Sequence, residues 1–207
     1  EGPEIMIAVV NYGMGNLGSV KNAFDYINVE SFVSEDAEKL SVADALVLPG
    51  VGAFGDAMDN LRSRGLEDPV KEHIRKGKPF LGICLGLQML FENSAESPGS
   101  KGLGVLEGIV EVFPAEMGLK IPQIGWNSIG TNKGMPVLGG FNGEYMYFVH
   151  SYFPVPDRLE DSRVITRYGV DFTSAVEYEN ILACQFHPEK SGKAGLAILK
   201  KWTDLYL

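Results

Sequence analysis

Hydrophobic residues in the first half of the chain follow two alternating patterns. Short apolar or β-branched runs predict buried strands at residues 5–10, 31–33, 45–48 and 80–83. Stretches with helical spacing of apolar residues predict helices at residues 17–27, 56–64, 67–76 and 85–92. Because strands that alternate with helices normally pair in parallel, this order predicts four strand–helix units in a parallel sheet with helices on both faces.

The second half consists of short strands separated by Gly, Pro and Asn. Apolar alternation predicts strands at residues 105–113, 145–150, 163–168, 174–178 and 181–186. A closing amphipathic helix over residues 193–205 should turn Leu196, Leu199 and Trp202 toward the core. Residues 93–102 are the best candidate for a mobile surface loop.

Size and charge narrow the classes of function. With 207 residues and 45% hydrophobic content, the chain can bury one substantial core, so a single domain over residues 1–207 is expected. The formal net charge of −9 argues against nucleic acid and anionic membranes as partners, because phosphate groups are bound mainly by clustered Lys and Arg. The start lacks the pattern of a signal peptide, and no apolar stretch is long enough to span a bilayer. We therefore expect a soluble, cytoplasmic protein.

Residues 82–86 read Gly-Ile-Cys-Leu-Gly, the form of a sharp turn that raises a nucleophile above the carboxyl edge of a sheet. In so tight a turn, a side chain at position 82 or 86 would collide with the neighbouring backbone, so both positions favour glycine. The helix that follows contributes its dipole and free N–H groups, which stabilise a thiolate and the oxyanion formed when it attacks a carbonyl. Cys84 is therefore the predicted nucleophile.

The alternative for Cys84 is the role of most lone cysteines, a small buried hydrophobic residue. The five-residue pattern also occurs by chance, so the prediction depends on finding a base and an oxyanion donor elsewhere. Cys184 lies within the apolar run at residues 181–186 and has no turn chemistry around it, which predicts core packing. Two cysteines in such different settings are expected to be reduced thiols rather than a disulfide.

Three histidines are available as the base that activates the thiol. His73 lies among charged residues on a helix that is expected to be solvated, which leaves His150 and His187. His187 follows the last apolar strand, and Pro188 favours an extended backbone at that point. Glu189 can hydrogen-bond one ring nitrogen of His187 while the other faces the sulfur, which fixes the tautomer. The alternative is a loop histidine beside a surface carboxylate.

The oxyanion needs backbone N–H donors near the sulfur. Leu85 can supply one, and the glycine-rich loop at residues 49–52 (Pro-Gly-Val-Gly), which follows a neighbouring parallel strand, can supply another. Such a loop more often only makes a turn. Gln88 lies one helical turn after Cys84, close enough to touch a bound substrate, unless it is simply an exposed helix residue.

These segments resemble the class I, triad-type glutamine amidotransferases. The shared motifs are residues 49–52 (PGVG), 82–88 (GICLGLQ) and 185–189 (QFHPE). The resemblance runs from about residue 5 to the end of the chain, and residues 1–4 have no counterpart in it. It implies an α/β fold with a mostly parallel central sheet flanked by helices and additional antiparallel strands in the C-terminal half.

Within that family, the chain is similar to the glutaminase subunits that serve a cyclase of histidine biosynthesis. This finer similarity rests on residues 11–17 (NYGMGNL), 52–55 (GAFG), 102–108 (GLGVLEG), 122–127 (PQIGWN) and 147–152 (YFVHSY).

The resemblance also implies roles for individual residues. The implied triad is Cys84, His187 and Glu189, and the implied oxyanion hole is formed by Gly52 and Leu85. The residues implied in holding glutamine are Gly50, Gln88, Glu96, His150, Ser151 and Tyr152. Those implied at a partner interface are Asn16, Trp126 and Lys190. No cofactor and no metal is implied.

The implied reaction converts glutamine to glutamate and ammonia, and the implied partner is a cyclase subunit with a (β/α)8 barrel. Ammonia in neutral water is mostly ammonium, which is not nucleophilic, so delivery through a sheltered conduit in a partner is favoured. The flexible glycines at positions 50 and 52 predict that the isolated subunit is nearly idle until a loop N–H turns toward the oxyanion.

Three alternatives remain open for this chain. The first is the glutaminase subunit of another synthase, for anthranilate or pyridoxal phosphate. The second is a stand-alone thiol hydrolase of γ-glutamyl substrates, which would need no partner. The third is a catalytically silent interaction module on the same fold.

Overall fold

A computed structural model describes residues 5–160 and 162–207, and residues 1–4 and 161 lie outside that description. The strands are β1 (Ile7–Val10), β2 (Ser31–Ser34), β3 (Ala45–Gly50), β4 (Phe80–Cys84), β5 (Asn93–Ser94), β6 (Gly108–Val112), β7 (Gln123–Ser128), β8 (Tyr145–His150), β9 (Tyr152–Pro156), β10 (Arg163–Tyr168), β11 (Val170–Tyr178) and β12 (Ile181–Cys184). The central sheet has seven strands in the order β2-β1-β3-β4-β12-β11-β10. Neighbours from β2 to β12 are parallel, whereas β11 and β10 are antiparallel additions. The predicted fold class is confirmed.

The helices are α1 (Leu17–Tyr26), α2 (Ala37–Val42), α3 (Phe54–Ser63), α4 (Glu67–Arg75), α5 (Leu85–Gln88) and α6 (Gly192–Tyr206). Helices α1 and α6 pack on one face of the central sheet, and α2, α3 and α4 pack on the other. Asn16 caps α1, because its side chain accepts a hydrogen bond from Ser19 N–H at 3.1 Å. Within the described residues, no helix combines the length and apolar character needed to cross a bilayer.

Burial on both faces explains the fully apolar central strands. In β1, Ile7 belongs to the core formed with Phe24 of α1 and Trp202 of α6. The next residue, Ala8, belongs to the core on the opposite face, which contains Leu61 of α3. Successive side chains of a strand point to opposite faces, so a strand covered on both faces is apolar at every position.

Two smaller sheets come mainly from the middle of the chain. Strands β5, β6 and β9 form one, and β7 and β8 form an antiparallel pair. The sequence pattern does not predict β5, β7 or β9. Strand β9 contains Pro154 and Pro156, which argue against a strand, but it lies at a sheet edge, where a missing N–H is tolerated.

Helix α5 is shorter than the predicted segment over residues 85–92. It ends at Gln88 because the next N–H groups leave the α-helical pattern. Those of Leu90 and Phe91 donate only three residues back, and that of Glu92 donates to the carbonyl oxygen of Gly108. The carbonyl of Met89 accepts a hydrogen bond from Leu103 N–H at 2.8 Å, and that of Leu90 accepts one from Leu106 N–H at 3.0 Å. Long-range pairing thus replaces the intrahelical bonds.

The segment predicted as a surface loop, residues 93–102, contains strand β5, in which Ser94 is buried. Helix α2 is not predicted by the pattern, since Leu40 is its one buried residue. The Asp36 side chain caps this helix by accepting hydrogen bonds from Glu38 N–H and Lys39 N–H. The remaining predicted elements are present, β8 and β10 with the predicted ends and the others with shifted ends.

The prediction that His73 is solvated is wrong. This residue is 2% exposed and lies on the inner side of α4, with Nε2 at 3.0 Å from the carbonyl oxygen of Pro79. The charged neighbours that suggested solvation lie on the outer side, as in any amphipathic helix.

Burial lowers the pKa of His73 from 6.5 to about 4. A histidine that stays neutral when folded but takes up a proton when unfolded weakens the fold as the pH falls between these two values. At about 1.4 kcal/mol per pH unit, the loss reaches roughly 3 kcal/mol. We expect urea unfolding to show this loss between about pH 6.5 and 4, and the His73→Leu variant to lose less stability over the same range. Equal acid sensitivity of the two proteins would contradict this account.

Candidate active site

Cys84 lies on a strained turn between β4 and α5. Its backbone has φ 55° and ψ −106°, outside the regions that residues with a Cβ ordinarily adopt. A Cβ at Gly82 would lie 2.9 Å from the backbone oxygen of Gly86, and one at Gly86 would lie 1.9 Å from that of Leu48. The two glycines therefore allow the turn that brings Cys84 to the carboxyl end of the central sheet.

His187 and Glu189 follow β12, which pairs in parallel with β4. The Nδ1–H of His187 donates to Oε1 of Glu189 at 2.8 Å, and the two side chains are only 3% and 1% exposed. Burial alone would lower the pKa of His187, but the neighbouring Cys84 and Glu189 outweigh it and raise that pKa well above its ordinary value. Nε2 of His187 is buried and has no hydrogen bond of normal geometry to any described residue. A protonated imidazole at this place is the partner that a thiolate requires.

The predicted oxyanion loop lies on the other side of β4. Strand β3 pairs with β4 so that Gly50 is opposite Cys84, and the chain then turns at Gly52, which has φ 104°. Across the part of the chain that the structure describes, the N–H groups of Gly52 and Leu85 donate to no protein acceptor. Both N–H groups are therefore free to receive an oxyanion.

Tyr12, in the loop after β1, fixes the start of this oxyanion loop. It is fully buried, and its hydroxyl donates to the carbonyl oxygen of Pro49 at 2.9 Å. Burial raises the pKa of Tyr12, so the hydroxyl keeps its proton and remains a donor. Gly50 leaves room for that hydroxyl, since a Cβ at Gly50 would lie 2.4 Å from it. The Pro49–Gly50 peptide is thereby held in place, while Val51 beyond it is 42% exposed.

A cleft of about 380 Å³ opens at Cys84. Its walls are formed by Val51, Gly52, Cys84, Leu85, Gln88, Glu96, Pro122, Val149, His150, Ser151 and Tyr152. Both predicted oxyanion donors are in these walls, as are all residues predicted to hold glutamine except Gly50. Among residues 5–160 and 162–207, no cluster of three or more His, Cys, Asp and Glu side chains is arranged as a metal site.

His150 is buried in the cleft wall between two partners. Its Nδ1 is 2.8 Å from the carbonyl oxygen of Tyr152, and its Nε2 is 3.0 Å from the side-chain amide of Gln123. Burial lowers the pKa of His150 to about 4, so the ring is neutral and carries a single N–H. Because the carbonyl can only accept, Nδ1 carries the hydrogen and donates to it, which leaves Nε2 without a hydrogen opposite Oε1 of Gln123.

Glu96 joins the cleft wall to the start of α3. Its Oε2 accepts a hydrogen bond from Phe54 N–H at 2.8 Å, and Oγ of Ser97 accepts one from Gly55 N–H at 2.9 Å. These bonds satisfy two of the N–H groups that a helix leaves free at its start. The wall that carries Glu96 is thus attached to the helix that follows the oxyanion loop.

A family model described as glutamine amidotransferase class-I matches residues 8–204. The chain belongs to the class I glutamine amidotransferase family. The imidazole glycerol phosphate synthase subunit HisH of Aquifex aeolicus (strain VF5) is 51% identical over 198 residues, which are 94% of each chain. That of Caldanaerobacter subterraneus subsp. tengcongensis is 45% identical over 201 residues, 97% of this chain and 98% of its own.

Solved structures share the fold of this amidotransferase. One described as a crystal structure of glutamine amidotransferase has a TM-score of 0.72 at 24% identity, and the match covers 95% of this chain and 98% of the other. At that identity, the likeness extends to the fold alone.

The residues predicted at the partner interface of this amidotransferase lie outside the cleft walls. Asn16 at the start of α1 and Lys190 after the triad are both exposed. Trp126 of β7 is 56% exposed, and its ring centroid is 6.0 Å from that of Tyr147 on β8. The carbonyl oxygen of Tyr147 accepts a hydrogen bond from His187 N–H at 3.0 Å, which connects this surface to the turn that carries the histidine.

Sequence reasoning missed two buried glutamines of the amidotransferase site. Gln185 is fully buried, with Nε2 at 3.6 Å from the sulfur of Cys84. Gln123 is 3% exposed and contacts His150. Gln185 could have been identified from its position inside the apolar run at residues 181–186. A polar side chain buried in such a run must find hydrogen-bond partners.

Proposed function

We propose that this chain is the glutaminase subunit of imidazole glycerol phosphate synthase, which supplies ammonia for histidine biosynthesis. The observation that carries the proposal is Cys84 on its strained turn beside the buried His187–Glu189 pair, in a chain 51% identical to a HisH subunit. A cytoplasmic location and a single domain over residues 1–207 belong to the proposal. The single domain is supported by the central sheet, which takes strands from both halves of the chain.

The first half of the reaction forms a thioester. The Cys84 thiolate attacks the side-chain carbonyl carbon of glutamine, and the N–H groups of Gly52 and Leu85 stabilise the negative charge that develops on the oxygen. His187 then gives its Nε2 proton to the departing nitrogen, the C–N bond breaks and ammonia leaves. Glu189 keeps the other ring nitrogen protonated and fixes the orientation of the ring.

The second half hydrolyses the thioester. His187, now neutral at Nε2, removes a proton from a water molecule whose oxygen attacks the acyl carbon. The C–S bond breaks, glutamate leaves, and the Cys84 thiolate and protonated His187 are restored. The cycle consumes glutamine and water and yields glutamate and ammonia, with no cofactor or metal.

Glutamine is held by the cleft walls beside the sulfur. Glu96 is the one acidic residue among those that line the cleft, and a carboxylate there suits the α-ammonium group of an amino acid. Gln88, His150, Ser151 and Tyr152 line the rest of the proposed glutamine site. Gly50 acts indirectly in this proposal, by leaving room for the hydroxyl that holds the oxyanion loop.

The partner is proposed to be a cyclase subunit with a (β/α)8 barrel that docks beside the cleft. Strands β7 and β8 expose Ile124 (57%), Trp126 (56%) and Tyr145 (60%), and aromatic and apolar side chains at the surface are typical of protein interfaces. Val149 of β8 also lines the cleft, so this surface continues into the site. Asn16 and Lys190 are proposed to contribute to the same interface.

The test is the rate of glutamate release from glutamine by this chain, alone and with the cyclase subunit plus a ligand of the cyclase site. We expect stimulation between about 5- and 150-fold, the usual range for coupling between two sites. The reason is that the loop after Gly50 can turn its N–H groups toward the oxyanion when the partner binds. Equal rates would instead favour another synthase or a stand-alone hydrolase, and no hydrolysis despite binding would favour a silent module.

A further inference from the structure

The side-chain amide of Gln185 lies against the proposed nucleophile. It is completely buried, and its Nε2 is 3.6 Å from Sγ of Cys84. Its Oε1 is 3.0 Å from Nε2 of Gln88, and that same Nε2 is 3.0 Å from the carbonyl oxygen of Tyr152. A continuous chain of polar contacts therefore runs from the cleft wall to the sulfur.

The direction of each hydrogen bond in this chain follows from one backbone carbonyl. The oxygen of Tyr152 can only accept, so Gln88 must present its NH2 group to it. The same NH2 group faces Gln185, which must therefore present its oxygen on that side. Since an amide carries its NH2 opposite its oxygen, Gln185 directs an N–H at the sulfur of Cys84.

We propose that Gln185 is a further catalytic residue, whose N–H donates to the sulfur of Cys84 and stabilises the thiolate over the thiol. A hydrogen bond to the charged form of a group favours that form, and a buried, fixed donor needs no reorganisation during the reaction. This inference rests on the proposed role of Cys84 as the nucleophile.

Gln185 has a second effect through its contact with Gln88. Both hydrogens of the Gln88 amide are committed, one to Tyr152 and one to Gln185. Gln88 can therefore offer only its oxygen to a molecule in the cleft, so it accepts hydrogen bonds from the substrate rather than donating them.

The rate at which iodoacetamide alkylates Cys84 tests the inference, because the thiolate is the form that reacts. The rate is measured on the full-length chain from pH 5 to 9 by mass spectrometry, and it requires neither glutamine nor a partner. The Gln185→Met variant keeps the length of the side chain but has no donor. We expect the midpoint of its pH profile to be about one pH unit higher, so that its alkylation is about tenfold slower at pH values below the wild-type midpoint.

A second variant separates the two contacts of Gln185. Gln185→Glu keeps an oxygen toward Gln88 but replaces the donor at the sulfur by another oxygen. We expect at least the same slowing of alkylation as in Gln185→Met, because the donor is lost and an acceptor faces the sulfur. Urea unfolding of each variant shows whether it is folded when its alkylation rate is compared with that of the wild type.

Thr166→Val is the matched control, since Thr166 is also a buried polar residue but contacts Ser128 and Ser174 rather than the sulfur. Its pH midpoint should equal that of the wild type. Wild-type midpoints in both Gln185 variants, or an equal shift in Thr166→Val, would overturn the inference. A wild-type Cys84 that resists alkylation at every pH would overturn the proposed nucleophile as well.

Discussion

The Cys84→Ala variant should hydrolyse glutamine at least about 10,000-fold more slowly than the wild type, with or without the partner. Only Cys84 forms the thioester in the proposed reaction, and removing the nucleophile of a triad removes most of what the other members contribute. The polar contacts of the sulfur are weak, since it lies 3.6 Å from Nε2 of Gln185 and 4.0 Å from the carbonyl oxygen of Val149. We expect partner binding to persist and the free energy of unfolding to change by less than about 1 kcal/mol.

The matched control for this loss is Cys184→Ala, which removes the second of the two cysteines. Cys184 lies in the core as predicted, 1% exposed, with its sulfur 3.7 Å from the carbonyl oxygen of Gly82. Burial raises the pKa of Cys184, so its thiol is not reactive at neutral pH. Glutamate release should stay close to the wild-type rate in this variant. Comparable rates in the two alanine variants would rule out Cys84 as the nucleophile.

The central sheet could be predicted because its signals are local in the sequence. Strands β1, β3 and β4 are covered on both faces, so each is an unbroken apolar run that needs no long-range information. The turn at residues 82–86 is equally local, since its steric requirement involves two glycines on either side of one cysteine. His187 and Glu189 are two residues apart, so their pairing could also be proposed from the sequence.

Contacts between distant segments could not be predicted in this way. Tyr12 contacts Pro49 across 37 positions, and Gln185 contacts Cys84 across 101. No periodic pattern in the sequence indicates either contact. Both contacts depend on how strands β1, β3, β4 and β12 align in the sheet. The early end of α5 has the same origin, since the carbonyl groups of Met89 and Leu90, directly after it, accept N–H groups from residues 103 and 106.

The Gly86→Ala variant should lose about 3 kcal/mol or more of unfolding free energy, or fail to fold. The added carbon would lie 1.9 Å from the carbonyl oxygen of Leu48, and that oxygen belongs to the backbone of β3 rather than to a flexible side chain. Strand β3 and helix α5 must therefore separate by roughly 1 Å. Because α5 begins directly after Cys84, the sulfur and the Leu85 N–H move as well, and the glutaminase rate should fall by about 100-fold.

Gly18→Ala is the matched control, because Gly18 also lies in a helix. Among the described residues, no atom beyond its own helix backbone and chain neighbours lies within 4 Å of the place where a Cβ would be added. Alanine has a higher helix propensity than glycine, so this variant should be as stable as the wild type or more stable by up to about 1 kcal/mol. Urea unfolding and glutamate release are measured on both variants. The comparison distinguishes the effect of the steric clash from the effect of replacing any helical glycine by alanine. A Gly86→Ala protein with wild-type stability and rate would show that β3 and α5 can move apart freely. A folded but slow protein would show that Gly86 is required because it fixes the distance between the sulfur and the oxyanion loop.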